Sequence, residues 1–316
     1  MKDVLKHFAR VAILLLISSG ISPAQTPPAT DDIFVVDVMG SQGKLVFGAP
    51  TNITNRAGYD NQPSFLADGQ SLLYTSLREG DQTDIYRYDF KTRQTVRLTS
   101  TPESEYSPTQ TPDGKFFSVI RVELDKTQRL WKFPLAGGTP LLVLPDIKPV
   151  GYHLWLDRRT LAIFVLGAEG KPNILQLAPT DNTFLDTIHV NIGRALHLVP
   201  RRRAFSFVHK ISPDNWLIKS FDLTTKRTTA VVKTLPNSED LAWLPDGTLL
   251  MAQDARLFRY DPAQPAADWQ QVADFSTAGL KRITRLALNS RGDKLALVAQ
   301  SETGLERQTR TERVIK

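Results

Sequence analysis

A repeat of about 45 residues constrains this chain more than any other feature of its sequence. The segment 63–74 (PSFLADGQSLLY) recurs at 108–119 (PTQTPDGKFFSV), and four further segments continue the same register. Each segment places a short polar turn between two apolar runs, which is typical of a β-hairpin. The predicted turn anchors are Asp68, Asp113, Asp157, Arg201, Asp246 and Arg291, at spacings of 44 or 45 residues.

A second landmark follows each of the first five anchors. Apolar and polar residues alternate there, which predicts a third, half-buried strand. A turn and a fourth strand come next, as at 92–99. Four antiparallel strands per period make one blade of a β-propeller. The third-strand segments are 84–89, 129–133, 173–177, 215–222 and 256–261.

The sixth period is completed from the other end of the chain. Only two strands, near 283–288 and 294–299, belong to its own hairpin, whereas 32–37 and 44–54 match a third and a fourth strand. The N-terminal strands would therefore complete the last blade and leave no long free sheet edge. We predict an all-β, six-bladed β-propeller with four antiparallel strands per blade, as a single domain over 31–300.

The two ends of the chain differ from the repeat. Lys2, Lys6 and Arg10 precede an apolar run at 11–17, and Ser22 and Ala24 offer small residues for cleavage. This pattern predicts a signal peptide at 1–24, and hence a periplasmic or secreted protein, with an uncleaved anchor as the alternative. A flexible lead is expected at 25–30 and a polar tail at 301–316. The chain has no cysteine, so it forms no disulfide.

Charge argues against a nucleic-acid partner. The formal net charge of +6 falls to about +4 once the predicted signal peptide is removed. Nucleic-acid binding needs a concentrated basic face with aromatic residues, whereas the main basic cluster, Arg201–Arg203, lies in a predicted turn. We expect no nucleic-acid partner, no stable membrane insertion and a monomer.

No catalytic motif is present in the sequence. We find no Gly-x-Ser-x-Gly elbow, no His-Glu-x-x-His helix, no phosphate-binding loop and no Gly-x-Gly-x-x-Gly. We therefore predict no catalytic residue, no metal and no cofactor.

Candidate binding residues come from the predicted innermost strand of each blade. His153 and His197 precede their anchors by four residues, and two positions earlier the column includes Asp240 and Arg285. We predict that these four residues line one mouth of the central channel. They either bind a ligand there or simply line a solvated tunnel and satisfy backbone groups.

The hairpin turns and the third strands of the repeat also carry a family resemblance. Segments 63–69, 108–114 and 242–247 are similar to the Pro-x-Trp/Phe-Ser-Pro-Asp-Gly core of TolB-type β-propellers, and 32–34 and 84–86 to their Asp-Ile-Tyr strand. The resemblance covers nearly all of the chain after residue 30. It implies the propeller fold, a periplasmic location and protein binding, whereas the matching residues themselves build turns and blade cores.

The leading functional expectation is a non-catalytic periplasmic scaffold that engages a protein partner in the cell envelope through its loop faces. Two alternatives stay open at this point. One is a metal-dependent hydrolase of the lactonase kind, and the other is a sensor that binds a small sugar or peptide in the axial channel.

Overall fold

The computed structural model describes residues 31–41 and 44–301. The predicted signal peptide, flexible lead and all of the predicted tail after Ser301 lie outside the described residues. Within these ranges every regular element is a β-strand except one 3-10 turn at Ser276–Ala278. Within the described residues no helix is long and apolar enough to cross a membrane.

The strands form six sheets, and five of them follow one another along the chain. We number the blades 1 to 6 from the strand that begins at Tyr59. Before blade 1 the chain forms β1 (Asp31–Ser41), β2 (Lys44–Phe47) and β3 (Thr51–Asn52). Blade 1 then contains β4 (Tyr59–Phe65), β5 (Ser71–Glu79), β6 (Gln82–Asp89) and β7 (Gln94–Arg97). Blade 2 contains β8 (Ser104–Gln110), β9 (Phe116–Val122), β10 (Gln128–Pro134) and β11 (Leu141–Leu142).

The next three blades repeat this order. Blade 3 contains β12 (Val150–Trp155), β13 (Thr160–Val165), β14 (Ile174–Pro179) and β15 (Asp186–Val190). Blade 4 contains β16 (Ile192–Leu198), β17 (Ala204–Ser212), β18 (Asn215–Asp222) and β19 (Thr228–Lys233). Blade 5 contains β20 (Leu241–Trp243), β21 (Leu249–Gln253), β22 (Arg256–Tyr260) and β23 (Gln270–Asp274).

Blade 6 is shared between the two ends of the chain, as the sequence predicts. Its own hairpin consists of β24 (Leu280–Leu288) and β25 (Lys294–Ser301). β1 pairs antiparallel with β25 from Asp31 opposite Gln300 to Asp37 opposite Lys294, and β2 pairs with β1. The predicted closure of the ring by N-terminal strands is therefore confirmed.

Packing between blades holds the ring together. The buried apolar side chains form six clusters, and each cluster joins two neighbouring blades. The cluster between blades 6 and 1, for example, brings Ile33 and Val298 against Leu72 and Tyr74. Since adjacent sheets bury their faces against each other, no single blade contains a core of its own.

The inner hairpin turns give the true repeat register. Each turn is closed by a backbone bond from its first residue, which is Leu66, Thr111, Leu156, Val199, Leu244 or Asn289. Five predicted anchors lie two residues after that position, whereas Asp157 lies only one residue after Leu156. Asp157 has the same turn role as Asp68, which also accepts backbone bonds from the residues two and three positions after it, so in blade 3 the inner strand and not the anchor is shifted by one residue. Asp157 accepts these backbone bonds from Arg159 and Thr160.

Candidate site at the axial mouth

The inner strands β4, β8, β12, β16, β20 and β24 surround the propeller axis. We call the end where they begin the front end and the end with their hairpin turns the rear end. Near the front end, the pairing register shifts in five of these strands, for example between Asn61 and Ser64 and between Ile283 and Arg285. Such bulges redirect side chains. Gln62 and Ser107, with φ of 58° and 53°, lie at two of them in left-handed conformations.

Arg285 connects opposite sides of the ring. Its Nη2 donates a hydrogen bond of 3.1 Å to Tyr152 Oη, and its guanidinium carbon lies 5.4 Å from the centre of the Tyr152 ring. Since blades 6 and 3 face each other in a ring of six, this bond crosses the axis. Arg285 Nη1 also lies 3.7 Å from Asp240 Oδ2 in blade 5, and both side chains are largely buried.

Asp240 and its neighbour Glu239 join blades 4, 5 and 6. Arg194 Nε lies 3.6 Å from Asp240 Oδ2, and Arg194 Nη1 lies 3.7 Å from Glu239 Oε2. Lys210 Nζ lies 3.1 Å from the same Glu239 oxygen. Burial alone would raise the pKa of Glu239, but Arg194 and Lys210 hold it below its ordinary value.

Asp31 brings a buried carboxyl to the same end. Its side chain is 3% exposed, and Asn61 Nδ2 of blade 1 donates a 3.0 Å bond to its Oδ2. Its Oδ1 has no hydrogen-bond partner among the described residues. Burial raises the pKa of Asp31 from 3.8 to about 6, although Arg282, Arg285 and Arg194 act against the shift.

Arg282 is the most accessible charge of this group. It is exposed, and its charge acts on the buried carboxyl of Asp31. It and Asp31 both lie opposite Gln300 of β25, one on each side, so the three residues form a row across blade 6. We call Asp31, Tyr152, Arg194, Glu239, Asp240, Arg282 and Arg285 the axial cluster.

The axial mouth has two chemically different halves. Blades 1 to 3 contribute Tyr59, Tyr106 and Tyr152, and Arg285 and Tyr152 act electrostatically on the buried hydroxyl of Tyr59. Blades 4 to 6 contribute the charged members of the axial cluster. Burial raises the pKa of Tyr59, so its phenol stays protonated at neutral pH.

The structure pairs two of the four predicted binding residues with each other and buries a third, His153, between blades. Asp240 and Arg285 form the ion pair described above. His153 instead turns towards blade 2, where its Nε2 lies 2.6 Å from Ser118 Oγ. The same oxygen accepts a bond of 2.8 Å from Trp155 Nε1. Burial lowers the pKa of His153 to about 3, so the imidazole is neutral.

His197 does not occupy the same position as His153. Counted from the first turn residue, His153 is equivalent to Leu196, Leu241 and Leu286, which are buried between blades. His197 is equivalent to Leu154 and is partly exposed. Burial lowers its pKa, whereas Asp240 acts to raise it. Because the inner strand of blade 3 is shifted by one residue relative to its anchor, the two histidines face opposite sides of their strands.

Sequence reasoning missed five members of the axial cluster, one of which is Glu239, the residue before Asp240. With the corrected register, Tyr152 and not Gly151 stands in the column of Asp240 and Arg285. Arg194 is one residue before Ala195 of that column, and Arg282 lies across the bulge from Arg285. Asp31 belongs to a third strand and could be found only from the closure of the ring, not from any column of inner strands.

Neither of two surface cavities coincides with the axial cluster. One lies at the rear end between blades 1 and 2 and is lined by neutral residues such as Ser64 and Thr109. The other lies between blades 5 and 6 and has Asp274 as its only titratable group. Within the part of the chain that the structure describes, no three His, Cys, Asp or Glu side chains come together as metal ligands.

Known structures match this fold at low sequence identity. A putative TolB from Agrobacterium tumefaciens has a TM-score of 0.66 and 14% identity, covering 86% of this chain and 98% of that one. TolB from Acinetobacter baumannii has a TM-score of 0.51 and 16% identity, covering 65% of this chain. A puromycin-hydrolysing peptidase from Mycobacterium tuberculosis has a TM-score of 0.56 and 13% identity, covering 81% of this chain and 48% of that one.

These likenesses concern the fold. This chain spans 55% of the length of the Acinetobacter TolB and 48% of that of the peptidase. No family model matches the sequence, and no curated protein does. The six-bladed architecture is that of the TolB-type propellers, as the repeat predicts, and the same architecture also occurs in an enzyme.

Proposed function

We propose that this protein is a non-catalytic periplasmic binding propeller whose front end holds a protein partner of the cell envelope. The observation that carries the proposal is the axial cluster. Exposed Arg282, partly exposed Arg194 and the cross-ring pair of Arg285 with Tyr152 converge at one end of the axis. Bringing these charges together costs desolvation free energy, and apolar side chains of similar volume would fill the same space without that cost. A binding role explains why charged residues stand there.

The residue types suit a protein interface. Arginine and tyrosine are enriched among the residues that dominate protein–protein binding energy, because they combine large contact areas with directional hydrogen bonds. The front end offers both, on inner strands that are rigid rather than on mobile loops. The loops between second and third strands, such as Gly80–Asp81, surround the mouth and widen the available surface.

The periplasmic location is supported by the signal-like N-terminus and by the resemblance to TolB-type propellers. Zero cysteines fit a bacterial exported protein that does not depend on disulfides. Arg194 and Arg285 of the axial cluster already lie near Asp240 in the free protein. A partner that binds there replaces existing ion pairs, which favours a reversible complex over a permanent one.

Of the two alternatives, a small-ligand sensor has one observation in its favour, which is the unpartnered Oδ1 of Asp31. A sensor of this kind would use the same mouth. For the lactonase-like hydrolase there is no such observation: among the described residues, no three His, Cys, Asp or Glu side chains come together as ligands for a metal ion.

Affinity capture with charge-matched variants tests the proposal. The full-length protein, Arg282→Glu and Arg158→Glu would each be immobilised and incubated with an envelope extract of the source bacterium. Arg158 is an exposed residue of a rear-end turn, so its reversal controls for net charge. We expect one partner to be recovered by the wild type and by Arg158→Glu and to be lost with Arg282→Glu. Equal recovery by all three would contradict the proposal.

A further inference from the structure

We propose that the axial cluster recognises the free carboxylate at the C-terminus of a peptide chain, which enters the mouth from the front end. This inference rests on the proposed function and names the segment of the partner that is bound. It is carried by three features of the axial cluster: the unpartnered oxygen of Asp31, the accessible guanidinium of Arg282 and the bond that crosses the axis.

The bond from Arg285 to Tyr152 limits what can enter. Because it joins blades on opposite sides of the ring, a polypeptide cannot thread through the axis at this level without breaking it. A chain that inserts from the front end must therefore stop above this bond. Such an arrangement excludes a chain that threads through the ring and leaves room above the bond for a chain end.

The charges around the stopping point fit a carboxylate. Arg282 is exposed, and Arg194 Nε makes no hydrogen bond, although it lies 3.6 Å from Asp240 Oδ2. Arg285 contacts Asp240 and Tyr152 through only two of its guanidinium nitrogens. A guanidinium can bind a carboxylate through two parallel hydrogen bonds, and such pairs are stronger than neutral ones. The same end also holds the carboxylates of Asp31, Glu239 and Asp240, so the preference for a carboxylate over an ammonium terminus comes from the exposed Arg282.

Asp31 supplies an acceptor for a donor on the same ligand. Its Oδ2 is held by Asn61, and its Oδ1 is buried without a partner, so the carboxyl is oriented but half satisfied. A backbone N–H one residue before the terminus is the nearest donor that every peptide carries. The tyrosine half of the mouth, with the partly exposed Tyr106 and Tyr152, offers apolar surface to the last side chain.

Peptide binding separates this inference from the proposed function. The probes would be a mixture of tripeptides with free carboxyl termini and the same mixture with amidated termini, titrated into the full-length protein while its thermal unfolding is followed. We expect the free acids to raise Tm and the amides to need at least a tenfold higher concentration for the same shift.

Three variants give the matched comparison. Arg282→Gln should weaken the free acids by at least tenfold, Asp31→Asn by a smaller factor, and the rear-end control Arg158→Gln should behave as the wild type. Equal binding of acids and amides would overturn the inference, and so would an unchanged affinity in Arg282→Gln. Tighter Arg282-dependent binding of a sugar acid such as galacturonate would overturn the peptide assignment.

The two failures are distinguishable. If no tripeptide binds while capture of a protein partner still depends on Arg282, the recognition of a free C-terminus is wrong and the proposed function stands. If peptides bind and no protein partner is captured, the mouth binds peptides as ligands in their own right.

Discussion

Arg285 of blade 6 donates a hydrogen bond of 3.1 Å to Tyr152 of blade 3, on the opposite side of the ring. The two residues are 133 positions apart, and they meet because the inner strands bring all six blades to one axis. Together with the ion pair between Arg285 and Asp240, this bond ties three blades together at the front end. The contribution of this bond to the free energy of unfolding can be measured separately from its role in binding.

The bond across the axis should contribute measurable coupling. Tyr152→Phe removes the hydroxyl and keeps the ring, and Arg285→Met keeps most of the aliphatic stem. We expect a double-mutant cycle in urea denaturation to give a coupling energy of about 1 kcal/mol, since the bond is partly shielded from water and involves a charged donor. A coupling energy of zero would mean that the two side chains do not interact in solution.

Asp31 should make the protein less stable as the pH rises through about 6. Its pKa is raised from 3.8 to about 6, so the folded state binds this proton more tightly than the unfolded state. Its contribution is fully present below about pH 4 and is lost as the pH rises, by roughly 3 kcal/mol at most. Asp31→Asn should remove this loss, whereas Asp81→Asn, at an exposed turn, should not.

The measurement is the free energy of unfolding in urea between pH 4 and pH 8. Some slope will remain in Asp31→Asn because burial also raises the pKa of Glu105, to about 7. An Asp31→Asn protein with the same slope as the wild type would show that Asp31 is well solvated or paired.

His153 should destabilise the fold in acid. Its pKa is lowered from 6.5 to about 3, so the unfolded state takes up the proton first and stability falls as the pH drops below about 6.5. Leucine stands at the equivalent positions 196, 241 and 286, so His153→Leu should cost at most about 1 kcal/mol at pH 7.5 and flatten the loss below pH 6.5.

His153→Ala serves as the contrast. It leaves a cavity between blades 2 and 3 and should cost about 2–4 kcal/mol at pH 7.5, and less at pH 5, where His153 itself destabilises the wild type. Unfolding curves at pH 5 and pH 7.5 distinguish the cavity from the titration. If His153→Leu were as acid-sensitive as the wild type, the burial of a neutral imidazole would not be the cause.

Closure by β1 should stabilise the whole ring and not only the last blade. Ile33 of β1 and Leu73 of blade 1 are both fully buried. We expect Ile33→Ala and Leu73→Ala each to lower the free energy of unfolding by about 2–4 kcal/mol within a single cooperative transition. A separate early transition in Ile33→Ala alone would show that the N-terminal strands detach without opening the ring.

The fold could be predicted because the repeat encodes it several times over. Turn residues and alternating strands recur in each blade, so one irregular copy does not hide the architecture. The N-terminal strands were also recognisable, since 32–37 carries the same Asp-Ile-aromatic start as 84–86. Closure of the ring follows once those strands are matched to the incomplete sixth period.

The site was only half predictable, and the reasons are physical. Asp240 and Arg285 share a column, and the register between blades 5 and 6 is regular. In blade 3 the first turn residue lies one residue before Asp157, whereas in the other blades it lies two residues before the anchor. A register error of one residue assigns a strand's side chains to the wrong face. That error paired His153 with His197 and hid Tyr152. Asp31 and Asn61 meet only through the closure between chain ends.

Photo-cross-linking in intact cells tests the central claim, that a protein partner binds at the front end, most directly. A photoreactive amino acid would replace Asp81 in the β5–β6 turn at the front end, or Lys115 in a rear-end turn, both of which are exposed. We predict a cross-linked adduct with one envelope protein from position 81, none from position 115, and loss of the adduct when Arg282→Glu is added. An adduct only from position 115, or one from position 81 that persists in Arg282→Glu, would contradict the claim.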